Sequence, residues 1–324
     1  MRRKQFVVAA LLVLAVVLAT AGAAAAANGG FTPQYAHSPN THRTNTVYYV
    51  VLGFTSAIFL IVEAALVLFI VKYRSRGRTR TVEGAQVHGN TRLELLWTVI
   101  PVLILAVIAA IVFVELPGIA NAPASAASTL KIRVEGHQFY WQFDYPNGAR
   151  SINDLHVPVD QDVDLEVVSA DVLHSWWIPQ LAGKLQAIPG RTNHTWFKAD
   201  RAGTYYGQCA ELCGPFHAVM RARVIAESQA DYQAFVSGKA VSDLGRQEFQ
   251  GVCATCHGMK GQGGYGPALA NNSLLTQKSA LTALVRNGRG LMPPVANTWN
   301  DAQLNALVAY TKAHVYKGAS TGGE

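Results

Sequence analysis

Two short stretches hold all four cysteines of the 324-residue chain, and each has the makings of a redox site. In CATCH, residues 253–257, the C-x-x-C-H order lets two thiols form thioethers to porphyrin vinyl groups while the adjacent histidine supplies an axial ligand from the same turn. A thioredoxin-like dithiol would need a βαβ surrounding that the sequence lacks. Cys253, Cys256 and His257 are therefore predicted to hold a covalent haem c. Of the four methionines, Met1 opens the chain, Met259 lies too close to His257 to reach the opposite haem face, and Met220 belongs to the other stretch. Met292 remains, in GRGLMPP, where Pro293 and Pro294 stiffen a loop that must present a weak thioether ligand. His314, on a segment of helical spacing, is the competing sixth ligand.

The second stretch is CAELCGPFHAVM, residues 209–220. A Cys209–Cys213 disulfide would close a tiny loop, stabilise little through chain entropy, and leave His217 and Met220 unexplained. Soft thiolates with imidazole and thioether are the donor set that copper selects, and one Cys, His and Met on a loop suffice for a mononuclear site. A second thiolate allows two coppers to be bridged. Zinc is disfavoured by Met220. A binuclear site needs another imidazole, and His137, His156, His174 and His194 are all available; spacing does not choose among them.

These groups need a scaffold on the right side of a membrane. The chain opens MRRK, continues apolar and ends in small residues near Ala27, the order of a secretory leader over residues 1–27. Two more apolar runs, 47–71 and 95–114, each approach the ~20 residues that cross a bilayer, so residues 28–118 form a membrane hairpin. The segment between them carries Lys72, Arg74, Arg76, Arg78, Arg80 and Arg92 against Glu83, which places it in the cytoplasm and everything after the second run outside. The formal charge of +7 resides largely in the leader and this loop, so it is no argument for nucleic acid.

The exported part divides in two. Residues 129–231 hold nine Lys/Arg and twelve Asp/Glu, net −3, whereas residues 232–324 hold eight and four, net +4. Short alternating segments such as KIRVE, VDLEVVS and RARVIA predict an all-β sandwich or barrel over 129–236. After a linker at 237–242 the spacing turns helical, in LGRQEFQGVCATC and in DAQLNALVAYTKAHV, whose predicted N-cap is Asp301. An all-α domain over 243–317 follows. With Phe249, the GYGPAL loop and the final LVAYT helix, it resembles class I cytochrome c.

Together, DVLHSWWIP, CAELCGPFHAVM and LELLWTVIP resemble subunit II of cytochrome c oxidase, in the form with a fused cytochrome c. The resemblance implies a cupredoxin-like domain with a binuclear copper centre held by His174, Cys209, the Glu211 backbone carbonyl, Cys213, His217 and Met220. It also implies a magnesium ion on the Glu211 side chain at the contact with subunit I, and proton uptake through Glu94 at the start of the second membrane helix. Phe139 stands where many members carry a tryptophan that receives electrons; Tyr140 and Trp141 follow as in the family. The implied function is passage of electrons from cytochrome c or a quinol:cytochrome c reductase, through haem c and copper, to subunit I, where oxygen becomes water with proton pumping. Subunit III would be a further partner, and the location a bacterial plasma membrane with the soluble domains on its outer face. A membrane-anchored cupredoxin–cytochrome carrier and the copper subunit of a nitric oxide reductase system stay open beside it. The Glu94–Pro101 motif favours the oxidase, because a carrier needs one anchor and no proton-uptake carboxylate.

Overall fold

The computed structural model describes residues 32–74, 86, 88–123, 129–239 and 242–318. The expected leader, most of the basic loop, and residues 240–241 of the expected linker lie outside these. Two long helices come first, α1 (Pro39–Tyr73) and α2 (Thr91–Ala120). Their most apolar windows have mean hydropathy 2.6 and 3.0, and none of either window is buried inside the chain, leaving the apolar side chains for lipid or a partner subunit to cover. At ~1.5 Å per residue, the 35 residues of α1 exceed a hydrocarbon layer of ~30 Å. The surplus carries its first turn to the next domain, where Asn40 and Thr41 are buried. Just before it, the His37 amide donates to the Gln180 carbonyl at 2.8 Å and the ring lies between Asp200, at 2.9 Å, and Arg201, at 2.8 Å. An Arg43–Glu115 ion pair of 2.9 Å ties α1 to α2 at the same end.

The β domain has strands β1 (Leu130–His137), β2 (Tyr140–Asp144), β3 (Arg150–Ile152), β4 (Asp154–Pro158), β5 (Val163–Ser169), β6 (His174–Trp176), β7 (Leu185–Ala187), β8 (Asn193–Phe197), β9 (Gly203–Gln208) and β10 (Arg221–Glu227). They form a five-stranded sheet in the order β3-β2-β1-β5-β8, a three-stranded sheet β4-β10-β9 and the pair β6-β7. Alternation does what it should: along β5, Val163, Leu165 and Val167 are buried while Asp164 and Glu166 are not. One buried cluster joins the sheets, with Ile132, Phe143 and Leu165 from the first meeting Leu155, Tyr205 and Val224 from the second.

Helix takes over at α3 (Gln229–Ala234), which passes into a π-helical turn, Phe235–Lys239. A broken helix then runs as α4 (Leu244–Glu248), a second π turn (Phe249–Cys253) and α5 (Ala254–His257). Such π turns are frequent at functional sites. α6 (Lys278–Asn287) and α7 (Asp301–His314) complete the domain. The cap of α7 is Asn300 rather than the expected Asp301, because the Asn300 side chain accepts the Gln303 amide while the Gln303 side chain accepts that of Asn300.

The haem domain packs against the β3-β2 edge of the sandwich. Asn153 donates to the Gly251 carbonyl at 3.1 Å, the Ile152 amide to Gln247 at 3.1 Å, and Gln303 to Gln142 at 3.0 Å. Arg150 also reaches Gln303. Gly251 permits this approach, since a Cβ there would lie 2.7 Å from Ile152 Cγ2. Tyr140 and Ile152, both from the β domain, belong to the same buried cluster as Phe249, Trp299 and Leu304 of the haem domain.

Beneath this seam Glu248 is wholly buried, and its carboxyl oxygens lack a well-aligned partner among the described residues. Burial pushes its pKa up to about 9. A carboxyl raised in this way stabilises the fold fully below its unfolded value of 4.5, and that contribution is lost as pH climbs toward the folded value. Glu248→Gln should therefore melt like the parent near pH 4 but be more stable by about 2 kcal/mol or more at pH 8–9. Parallel thermal melts across that range check it; a constant difference at every pH would mean that ionisation of Glu248 is not involved.

Candidate redox centres

β9 and β10 are paired antiparallel with Gln208 opposite Arg221, so the intervening loop must leave and return at one point. The Cys209 amide accordingly donates to the Met220 carbonyl at 2.9 Å, and a short 3-10 turn, His217–Val219, brings the histidine inward. β6 supplies His174 from outside the loop. The structure brings together all six of the expected copper donors. Cys209 Sγ lies 3.9 Å from His174 Nδ1 and 3.2 Å from the Glu211 carbonyl oxygen; Cys213 Sγ lies 3.6 Å from His217 Nδ1 and 3.8 Å from Met220 Sδ. Ligand atoms of His174, Cys209 and Cys213 all fall within 4.8 Å of one another, and the three residues are buried. Both cysteines are free thiols.

A residue missed at the sequence level fixes the histidine. Asp171 accepts from His174 Nε2 at 2.8 Å and is itself held by the Gln138 amide at 2.7 Å, which leaves Nδ1 facing Cys209. Its only signal was an aspartate in DVLH. Interaction between the two neighbouring thiols holds Cys209 below its usual range and pushes Cys213 above it. Thiolate, imidazole, thioether and carbonyl donors converging in a buried pocket fit copper.

The second centre is a cavity of about 590 Å³ in the helical domain, lined by Phe249, Cys253, Cys256, His257, Leu281 and Met292 among others. His257 Nδ1 donates to the Pro267 carbonyl at 2.7 Å, so Nε2 is the nitrogen available as a ligand. Gly266 leaves room for that ring, because a Cβ there would sit 2.7 Å from His257 Cε1. Paired thiols, an oriented imidazole and a methionine lining one apolar cavity fit haem c. His314, the competing ligand, instead packs against Tyr310 with ring centroids 4.8 Å apart.

The cavity reaches the copper domain, since Gln138, Phe139 and Phe216 also line it. Phe216, next to His217, lies 5.4 Å from the Phe139 ring and 4.7 Å from Tyr265 of the helical domain, centroid to centroid. Trp141 is buried in the sandwich, edge-on to His174 at 5.9 Å, whereas Tyr140 points the other way into the haem domain. Glu94 lies far along the chain on α2, where its carboxylate accepts the Asn90 amide at 3.1 Å and helps cap the helix.

Two membrane-length helices, a cupredoxin-like domain whose donors fit copper and a helical domain whose cavity fits haem c follow one another in series, the plan of a membrane-anchored protein with two cofactor sites. Sequence comparison narrows the class. Residues 26–114 match the family model for the transmembrane domain of cytochrome c oxidase subunit II, residues 149–227 match that for its periplasmic domain, and residues 240–310 match that for cytochrome c oxidase, cbb3-type, subunit III. Cytochrome c oxidase subunit 2 of Alkalihalophilus pseudofirmus is 36% identical over 281 residues, covering 78% of this chain and 82% of the relative. That of Thermostichus vulcanus is 31% identical over 256 residues, covering 64% and 77%. The solved periplasmic domain of subunit II of cytochrome oxidase of Bradyrhizobium japonicum is 34% identical, covers 33% of this chain and 91% of that one, and superposes with a TM-score of 0.33. The chain belongs to the cytochrome c oxidase subunit II family and carries a cytochrome c domain at its C-terminal end.

Proposed function

We propose that this chain is the electron-receiving subunit of a respiratory haem–copper oxidase, accepting electrons from cytochrome c or a quinol:cytochrome c reductase and delivering them to subunit I, where oxygen is reduced to water with proton pumping. When bound, haem c and a copper pair supply one-electron chemistry at two fixed points. His174, Cys209, Glu211 through its carbonyl, Cys213, His217 and Met220 would hold the copper; Cys253, Cys256, His257 and Met292 would hold the haem. The observation that carries the reading is the packing of one donor set against the other: the haem cavity is walled in part by Phe139 and by Phe216, the immediate neighbour of His217. Three successive aromatics span the gap, with Phe139 facing the cavity, Tyr140 entering the haem domain and Trp141 touching His174. These are the residues we assign to the electron path.

Glu211, half-buried on the copper loop, is through its side chain the proposed magnesium ligand at the subunit I contact. Subunit III and a bacterial plasma membrane, with both soluble domains outside, complete the proposed setting. The test is the native complex: it should consume oxygen with reduced cytochrome c and contain two coppers in this chain beyond any in subunit I. A purified chain that occurs alone, with no oxygen uptake in the membrane it came from, would make it a carrier.

Proton uptake is assigned to Glu94. Because its carboxylate also caps α2, Glu94→Gln is the informative change, since it keeps a hydrogen-bond acceptor while removing the ionisable group. Oxygen turnover should slow several-fold while reduction of the copper centre by cytochrome c keeps its rate. Equal loss of both would point to misassembly.

A further inference from the structure

We infer that Tyr140, a residue of the copper domain, is a positioning residue for Met292 in the haem domain. The inference rests on Met292 being the sixth haem ligand. Tyr140 is fully buried, and its ring packs edge-on to Trp299 with centroids 6.3 Å apart. Its hydroxyl donates to the Val295 carbonyl at 2.7 Å and accepts the Trp299 indole N–H at 2.8 Å. Val295 follows Met292 after only Pro293 and Pro294. Two prolines in succession fix their own φ angles, so a clamp at Val295 is felt at Met292 rather than lost in a flexible link.

The other side of the turn is closed within the haem domain. Arg289 and Met292 exchange both backbone hydrogen bonds, at 2.9 and 3.1 Å, and the Ala296 amide donates to Val285 at 3.0 Å. These bonds close the turn but leave the Val295 carbonyl to Tyr140. Burial raises the Tyr140 hydroxyl well above its ordinary value, so it stays a donor throughout the working range. Removing the hydroxyl would strip the Val295 carbonyl of this donor and the Trp299 N–H of this acceptor. That is the situation in which a buried hydrogen bond costs most to lose. A thioether is a weak ligand, so a loosened loop would let it be displaced.

The test uses the full chain with haem attached, in the ferric state, titrated with imidazole, which must displace the sixth ligand to bind. Tyr140→Phe keeps the ring and should raise apparent imidazole affinity about tenfold, as expected for the loss of about 1.4 kcal/mol of loop restraint. The haem reduction potential should fall, with haem attachment and copper content unchanged. Trp299→Phe leaves the bond to Val295 and should give a smaller increase. Met292→Ala should bind imidazole more tightly than any of these, and adding Tyr140→Phe to it should change nothing further. Gln247→Ala, which removes a seam hydrogen bond away from the loop, should leave imidazole affinity at the parent value. If Tyr140→Phe matches the parent while Met292→Ala binds tightly, Met292 is a ligand but Tyr140 does not position it. If Gln247→Ala raises affinity as much as Tyr140→Phe, Tyr140 acts only through docking and the assignment falls. If Met292→Ala itself is unchanged, the sixth ligand lies elsewhere and the premise fails first.

Discussion

Cys209→Ser removes the purple colour expected of the copper domain and lowers its copper content from two ions to one or none, while haem stays attached through Cys253 and Cys256. The size of this effect follows from the geometry. Cys209 Sγ is the sulfur nearest both His174 Nδ1 and the Glu211 carbonyl, so its loss removes the centre of one half of the donor set. The other half, Cys213 with His217 and Met220, survives as one thiolate, one imidazole and one thioether, the minimum for a mononuclear site. A hydroxyl in place of the thiol cannot substitute, because serine stays protonated and hard where copper prefers a soft anion. Copper per chain, measured beside the visible spectrum, decides the matter. One copper per chain in the unmodified protein, or a Cys209–Cys213 disulfide, would end the binuclear reading.

How much of this could be read from sequence depends on whether the chemistry is local. Both redox motifs are local: CATCH must present two thiols and an imidazole from one turn, and CAELCGPFHAVM must close one loop between paired strands. Their spacing is therefore visible without a fold. His174 is not local. It arrives on β6, and the residues alone left four histidines equal; only the likeness to a family singled it out. Asp171, which orients it, was invisible for the same reason. Tyr140 shows a different limit. In β2 the four residues Tyr140, Trp141, Gln142 and Phe143 are all buried, where a strand with one wet face would alternate. Trp141 and Phe143 face the sandwich core, while Tyr140 and Gln142 face the haem domain. YWQF without alternation was the signal that both faces are covered, but nothing in the sequence said that the second cover is the chain's own C-terminal domain.

That cover governs how electrons should cross between the domains. In the intact chain, the crossing rate should be independent of protein concentration and nearly independent of salt. The tether alone holds the haem domain at an effective concentration of roughly millimolar, so no diffusional encounter is needed. Of the crossing hydrogen bonds, Asn153–Gly251, Ile152–Gln247 and Gln142–Gln303 join neutral groups and Arg150 bonds the neutral Gln303 amide, all at contact distance, where mobile ions screen little. Net charges of −3 and +4 on the two halves contribute long-range attraction that the intact chain does not require. Cutting the chain makes it necessary. With a protease site placed after Lys239 and the released haem domain supplied at about micromolar concentration, transfer becomes bimolecular and its rate should drop by on the order of 100-fold or more. Raising the ionic strength should slow it further, because opposite charges then steer the approach. The measurement is the rate of copper reduction after rapid reduction of the haem, in cut and uncut protein from low to high salt. An uncut protein as sensitive to salt and concentration as the cut one would mean that the observed docking is not the electron-transferring arrangement, and that the haem domain serves a neighbouring complex instead of its own copper site.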